Sequence, residues 1–314
     1  MIPCRPAVDE NGEEGKAAMA VAFAELAREF DGVLGVAARR LDTGEELAFN
    51  ADEVFPTASA FKTVLLCVLY RQADAGRIDL AQRVTLRAEQ RVPGSGVLQD
   101  LEPGATLTLK DIATLMITVS DNMATDLIYD LVGRAAVAET LRELGMSQTS
   151  LPLDTWEILA GLHDLDPDDP SLTYETLKAR LASRLAPLDC RAARETPDNN
   201  VTTPRDMVRL YEAIERGEGL SPAARDAVLD ILKRQKFRER IPALLPFGVQ
   251  VAHKTGSIRG VCNDAGLVYA GDIVYAVALF TKRARNGYAA TQLLARASLA
   301  VYEHFAGPVG EIEN

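Results

Sequence analysis

Residues 57–75 read TASAFKTVLLCVLYRQADA, and this stretch decides the class of the fold. Its apolar residues follow one another without the alternation of a half-buried strand, which favours a buried helix. Thr57 or Ser59 can cap the start of that helix, and Gly76 can end it. The helical pattern continues with interruptions over residues 57–217, so the middle of the chain is predicted to be helical.

Strand patterns lie on both sides of this helical part. VLGVAARRL and EELAFN, within residues 33–50, alternate around a turn and predict a hairpin. Further strands are expected at 248–253, 264–271 and 272–281, and terminal helices at 15–30 and 286–305. We therefore predict an α/β (α+β) fold, in which an antiparallel sheet from both termini is flanked by helices and carries an inserted helical lobe.

This pattern also gives domain boundaries. The sheet lobe is expected to comprise residues 15–56 plus 205–306, and the helical lobe residues 57–204. A site in the crease between two such lobes is a common arrangement. About the first twelve residues, rich in polar and acidic positions, are expected to be disordered.

The charge balance excludes two classes of partner. The chain of 314 residues has 45 acidic and 34 basic side chains, a net charge of −11. Phosphate backbones and anionic membrane surfaces repel such a chain, so neither a general nucleic-acid binder nor a peripheral membrane protein is expected. The longest apolar stretch, Val64–Tyr70, is far shorter than the roughly 18 residues of a membrane helix.

The cysteines, the histidines and the first residues of the sequence limit the possible metal sites and cellular locations. The four cysteines fit neither a disulfide framework nor a zinc pattern, and there are three histidines, so we expect no metal and no cofactor. The opening MIPCRPAVDENGEEG does not fit a signal peptide, so the protein either stays in the cytoplasm or has lost a leader that sent it to the periplasm or outside. We expect a monomer.

Three short motifs occur in a fixed order. They are an S-x-x-K at Ser59–Lys62, an S-D-N at residues 120–122 and a K-T-G at residues 254–256. Each is weak alone, since an exposed helix turn or a helix cap explains the first two equally well. Together, with each in a fitting context, they indicate one site.

The first motif has a direct chemical reading. Ser59 and Lys62, three residues apart at a helix start, lie on one face within reach of each other. A serine hydroxyl becomes a good nucleophile when a base takes its proton. A lysine can be that base if burial and a nearby positive charge, such as that of Lys254, lower its pKa.

The three motifs resemble those of class A β-lactamases and penicillin-binding proteins, over roughly residues 20–305. The resemblance implies a serine hydrolase that opens a β-lactam amide through an acyl-enzyme on Ser59, the activity behind antibiotic resistance. It implies that Ser120 passes a proton to the leaving nitrogen and that Asn122 holds the substrate's side-chain amide. The remaining substrate-binding residues would be Lys254, Thr255 and Gly256 for the substrate carboxylate, and Ser257 with the Ser59 amide for the oxyanion. Arg259, soon after the K-T-G, is a further candidate for contact with the substrate carboxylate, and a solvated turn arginine is the alternative.

A further match separates the lactamases from the penicillin-binding proteins. Leu153–Glu157, LDTWE, resembles the lactamase loop whose glutamate activates the deacylating water. The resemblance implies that Glu157 is this base, enclosed beside Lys62 with a raised pKa. A surface glutamate on a helix turn remains the alternative.

The same loop departs from the family pattern. Gly161 stands where an asparagine usually shares the water, and Thr155 and Asn200 stand where an Arg–Asp ion pair usually closes the neck. Asp126 replaces an asparagine that braces the loop, and residues 162–196 look like an insertion. We therefore expect a rebuilt loop, with the insertion acting as a lid.

Three other functions stay open at this stage. The chain can be a penicillin-recognising or sensor-like domain that is acylated without turnover, or an esterase or amidase of another small acyl substrate. A degenerate member with a structural role is disfavoured by the intact motifs. His253 is expected to point away from Lys254 because neighbouring side chains of a strand alternate.

Overall fold

The computed structural model describes residues 10–309, with side chains from Glu14 onward. The first nine residues, most of the expected disordered start, lie outside this range. The helices are α1 Glu10–Arg28, α2 Lys62–Asp74, α3 Leu109–Thr118, α4 Asn122–Val132, α5 Arg134–Glu143, α6 Thr155–Gly161, α7 Tyr174–Ser183, α8 Pro204–Arg216, α9 Pro222–Lys233 and α10 Gly287–Ala306. The strands are β1 Val33–Arg40, β2 Glu46–Phe49, β3 Phe55–Pro56, β4 Arg83–Thr85, β5 Thr106–Thr108, β6 Val201–Thr202, β7 Gln250–Ile258, β8 Val261–Ala270 and β9 Ile273–Lys282.

The main sheet unites the two ends of the chain. Its strand order is β2-β1-β9-β8-β7, and every neighbouring pair is antiparallel. Ala37 of β1 lies opposite Ala278 of β9, which puts the N-terminal hairpin beside the C-terminal strands. The predicted fold class is thus confirmed.

Alternation along the strands divides the core into two layers. Val36 and Val277 face α1 and α10, where they pack with Phe23 and Leu294. Ala37, Ala278 and other side chains of opposite orientation face the larger helical core around α2, α8 and α9. The sheet is therefore buried on both faces, and the boundary between sheet and helical lobes at 57–204 stays a prediction.

Helix α2 is the centre of the helical part. Every residue from Lys62 to Tyr70 is buried, so this helix has no solvent-exposed face over its first turns. The expected cap at Thr57 or Ser59 was wrong. A 3₁₀ turn over Ala58–Phe61 precedes the helix, and neither side chain caps it.

One prediction at the strands also needs correction. The strand expected at 248–253 extends to Ile258, so the K-T-G motif lies inside β7. Strands β4 and β5 pair in a small separate two-stranded sheet. No helix among the described residues is long and apolar enough to span a bilayer.

Candidate active site

Ser59 lies on the short 3₁₀ turn that enters α2. The residue before it, Ala58, has φ of 43°, a left-handed conformation that non-glycine residues adopt at a cost. The turn lies against Gly256 of β7: a β-carbon there would come within 2.6 Å of Thr57 O and 3.0 Å of Ser59 N. Glycine at this point of the strand thus allows the backbone of β7 to approach the serine closely.

Lys62 is fully buried and bonded to the S-D-N segment. Its Nζ donates to Ser120 O at 2.8 Å, to Ser120 Oγ at 3.2 Å and to Asn122 Oδ1 at 2.9 Å. Burial lowers the pKa of Lys62 to about 7, against the opposing effect of the negative charges of Asp121 and Asp126. A large fraction of this lysine is therefore neutral near pH 7 and able to accept a proton.

Lys254 completes a buried chain of polar groups. Its Nζ donates to Ser120 Oγ at 3.0 Å and to Thr255 O at 2.7 Å. Burial, with the neighbouring positive charge of Lys62, lowers the pKa of Lys254 well below its usual value. The Ser120 hydroxyl thus lies between two lysine nitrogens, in a position to exchange a proton with either.

A cleft of about 210 Å³ opens over these groups. Its lining includes predicted residues from all three motifs, together with Ser95 and Arg240. The predicted residues in the lining are Ser59, Ser120, Thr255 and Ser257. The order of the motifs along the chain therefore corresponds to one place in the fold.

The wall beside Asn122 is the Pro- and Gly-rich loop at 93–98. Asn122 Nδ2 donates to Pro93 O at 2.8 Å, and Ser95 Oγ donates to Ser120 O at 2.8 Å. One oxygen of Asp121 accepts the backbone amides of Val97 and Leu98, while the other caps α4. The cap interpretation of S-D-N thus holds for Asp121, while Ser120 lines the cleft.

Arg240 is a cleft residue that the sequence analysis missed. Its guanidinium donates to Gly256 O at 2.9 Å, to Asn263 O and to Ser257 Oγ. Arg240 follows α9 in an irregular segment and belongs to no motif, so only its position in three dimensions distinguishes it from other surface arginines. The cleft therefore holds a fixed cation beside the K-T-G strand.

Arg259, the arginine predicted to contact the substrate carboxylate, lies outside the cleft. It sits at the tip of the β7–β8 hairpin, next to Gly260, and is not among the residues that line the cleft. Its Nε is buried without a hydrogen-bond partner in the described part of the chain. The hairpin carries it past the cleft because the strand continues to Ile258.

His253 has a structural setting. It is fully buried, and its Nδ1 lies 2.9 Å from Asp264 Oδ1 on the neighbouring strand. Asp264 also accepts the backbone amide of Ile241, the residue after Arg240. This pair therefore fixes the segment that carries the cleft arginine.

The expectation that Glu157 is enclosed beside Lys62 was wrong. Its Oε2 accepts a hydrogen bond from Arg134 Nη2 at 2.8 Å and one from the backbone amide of Asp154 at 2.8 Å. The negative charges that act on Lys62 are those of Asp121 and Asp126. The capping box of α6 and the arginine of α5 hold the Glu157 carboxylate in this orientation.

A different residue of α6 approaches the cleft loop. A β-carbon on Gly94 would lie 3.9 Å from Leu159 Cδ1 and 2.7 Å from Asn122 Nδ2. Ile158, Leu159 and Ala160 are all buried. The buried face of α6 is thus apolar next to its capped, charged N-terminus.

Asp126 and Asn200 show how the loop is rebuilt. Asp126 accepts the amides of Thr155 at 2.7 Å and Trp156 at 3.0 Å, and Asn200 exchanges two hydrogen bonds with the backbone of Leu153. Burial and the nearby charge of Asp154 raise the pKa of Asp126 to about 7. Side-chain to backbone bonds therefore replace the ion pair of the family at the neck of the loop.

Among the described residues, no group of three or more His, Cys, Asp or Glu side chains is arranged to hold an ion. The charged side chains that line the cleft are Glu239 and Arg240, and the nitrogens of Lys62 and Lys254 lie buried behind the Ser120 hydroxyl.

The chain matches known proteins over most of its length. Residues 18–305 match the model of the Beta-lactamase enzyme family. A β-lactamase of Streptomyces albus G is 30% identical over 79% of this chain and 71% of its own. The carbapenem-hydrolyzing β-lactamase KPC of Klebsiella oxytoca is 28% identical over 83% of this chain and 79% of its own.

Several solved structures superpose on this chain over most of its length. A β-lactamase from Sphaerobacter thermophilus superposes with a TM-score of 0.75 at 31% identity, covering 94% of this chain and 99% of that one. An ancestral class A β-lactamase gives a TM-score of 0.76 at 27% identity, covering 91% of this chain and 100% of its own. A leucine-to-glutamate mutant of PBP-A, solved as an acyl-enzyme complex with penicillin G, gives 0.72 at 29% identity, covering 97% and 99%. The chain therefore belongs to the β-lactamase enzyme family and has the fold of its class A members.

Proposed function

We propose that this protein opens the amide bond of β-lactams through an acyl-enzyme on Ser59. The observation that carries the proposal is the buried chain of Lys62, Ser120 and Lys254 beside the serine, joined through the Ser120 hydroxyl. The family to which the chain belongs and its class A relatives support the choice of a lactam over other acyl substrates.

In the acylation step, Ser59 Oγ attacks the lactam carbonyl carbon. Neutral Lys62 takes the hydroxyl proton, a role supported by a pKa of about 7. The amides of Ser59 and Ser257 bind the oxyanion as it forms. Ser120 delivers a proton to the lactam nitrogen as the C–N bond breaks, and Lys62, which holds the proton taken from Ser59 and bonds the same hydroxyl, replaces it.

Substrate binding uses the walls of the cleft. Asn122 binds the side-chain amide of the substrate, while Lys254, Thr255 and the strand at Gly256 hold its carboxylate. The contacts of Arg240 with Ser257 support it as the further cation for that carboxylate, in place of Arg259.

The rebuilt loop affects the deacylation step, because it carries Glu157. We propose Glu157 as the base that activates water, in a conformation that requires release from Arg134. The present bonds of Glu157 hold it away from this role, so we infer that deacylation is slower than acylation and that the acyl-enzyme accumulates.

The first test follows a chromogenic cephalosporin by stopped flow, with mass spectrometry of the quenched protein. Many turnovers that are lost in Ser59→Ala support the proposal. A single burst with a lasting adduct on Ser59 supports the second candidate, a penicillin-recognising domain. Neither turnover nor adduct, with ester hydrolysis that requires Ser59, would reject the lactam in favour of another acyl substrate.

The role of Glu157 has its own test. Glu157→Gln should leave acylation intact and lower deacylation by about a hundredfold, the scale of a lost general base. Arg134→Ala should raise the deacylation rate because it frees the carboxylate, while Arg142→Ala, a 74% exposed arginine of the same helix, should not. Equal deacylation in wild type and Glu157→Gln would remove Glu157 from the mechanism.

A further inference from the structure

The inserted segment is part of the packed protein. Leu177 on α7 is fully buried, and Cys190 and Ala192 near its end are 1% and 3% exposed, all within the main core. Because the insertion is anchored to the core at several points, it can hold a neighbouring loop in place. Tyr174, the first residue of α7, bonds Gln99, which directly follows the loop at 93–98 beside the cleft.

Tyr174 belongs to a chain of hydrogen bonds in which each side chain donates to the next group. Lys178 Nζ donates to the Tyr174 hydroxyl at 2.9 Å, and that hydroxyl donates to Gln99 Oε1 at 3.1 Å. Gln99 Nε2 then donates to Gly94 O at 2.6 Å. Because an ammonium is only a donor, it leaves the tyrosine proton for Gln99, which orients the amide with its nitrogen towards Gly94.

The loop held in this way forms the cleft wall. Ser95 O accepts the backbone amide of Asn122 at 3.0 Å, and Ser95 Oγ bonds Ser120 O. Gly94 and Gly96 have φ of 97° and 104°, in the left-handed region, so the loop keeps a shape that few other residues tolerate. A small shift of Gly94 would move atoms in contact with Asn122.

We propose that Tyr174 is a positioning residue. It fixes the amide of Gln99, and through that amide it holds the loop at 93–98 against Asn122. The inference rests on the proposed function for its kinetic consequence, because Ser95 lines the cleft and Asn122, bonded to the wall loop, is proposed to bind the substrate's side-chain amide. It identifies the insertion as a brace on the cleft wall, which differs from the lid expected from the sequence.

The kinetic test uses Tyr174→Phe, which keeps the ring and removes one hydroxyl. Loss of a neutral hydrogen bond that orders the wall should raise KM about three- to tenfold, with kcat changed less than twofold and the melting temperature retained. Tyr288→Phe, at a 74% exposed tyrosine of α10, is the matched control and should behave as wild type. An unchanged KM in Tyr174→Phe would overturn the proposal, as would a fall in kcat and melting temperature together.

A second variant tests the path. Gln99→Leu should raise KM by a similar factor, and the double variant should add little, because both changes break one chain of bonds. Effects that multiply would mean that Tyr174 acts by another route and would overturn the proposal.

A readout without substrate separates this inference from the proposed function. Hydrogen–deuterium exchange of residues 95–98 should be several-fold faster in Tyr174→Phe than in wild type or Tyr288→Phe. If the wild type neither binds nor turns over lactams, the proposed function fails, while faster exchange still supports the brace. Equal exchange in all three proteins refutes the brace, whatever the activity.

Discussion

Replacing Lys62 with methionine should abolish acylation, and its effect on the free energy of unfolding should depend on pH. Burial lowers the pKa of Lys62 from 10.5 to about 7, so the folded protein disfavours the charged form. At 1.36 kcal/mol per pKa unit, this opposes folding by about 4 kcal/mol at pH 7 and by about 2 kcal/mol at pH 9. The sign follows because the unfolded chain binds more protons than the folded one between these pH values, so wild-type stability rises with pH.

The variant removes that cost together with three hydrogen bonds to Ser120 and Asn122. At about 1 kcal/mol for each bond, the ammonium form loses three bonds, or about 3 kcal/mol, and the neutral amine, which has two N–H donors, loses about 2 kcal/mol. Lys62→Met should therefore be about 1 kcal/mol more stable than wild type at pH 7 and about as stable as wild type at pH 9.

Urea unfolding followed by circular dichroism at the two pH values measures this difference. Lys110→Met, at an exposed lysine of α3, is the control and should show little change relative to wild type at either pH. A difference between Lys62→Met and wild type that is the same at pH 7 and pH 9 would refute the reasoning, because an unperturbed lysine gives that result.

Three further predictions concern activity. Single-turnover acylation of Ser59 should rise about tenfold per pH unit below pH 7 and level off above it, as the neutral fraction of Lys62 does; a flat profile would contradict a lysine base. Gly256→Ala should lower acylation more than about tenfold, because the new methyl meets Thr57 O at 2.6 Å and has only backbone to displace; wild-type rates would show that the strand can move. Arg240→Gln should raise KM about tenfold or more for lactams with a free carboxylate and little for their methyl esters; equal effects on both would exclude a carboxylate contact.

The parts of the site that could be predicted from the sequence lie in regular structure. Ser59 and Lys62 are three residues apart on a helical turn, so their proximity follows from local geometry. The strand that carries Lys254 follows from the apolar pattern near the end of the chain, whereas its contact with Ser120, in the turn between α3 and α4, depends on the tertiary fold. The family assignment depends on these motifs, and it is confirmed.

The orientation of Glu157 and the identity of the cleft arginine could not be predicted from the sequence. The direction of Glu157 depends on Arg134, 23 residues earlier, and on the cap that Asp154 makes for α6. Arg240 enters the cleft through an irregular segment that Asp264 holds by the amide of Ile241. Side-chain directions set by distant partners have no local pattern, so a motif predicts the residue type but not its orientation.

The position of the nucleophile turn has a consequence for how this protein associates with itself. Strand β7 is an edge of the sheet, and the 3₁₀ turn that carries Ser59 lies along it. An uncovered edge strand offers a row of unpaired backbone groups to a strand of another molecule. Local unfolding that detaches the turn would therefore abolish catalysis and create a template for aggregation in one event. In this protein, loss of activity on heating and the onset of precipitation are expected to begin at the same place.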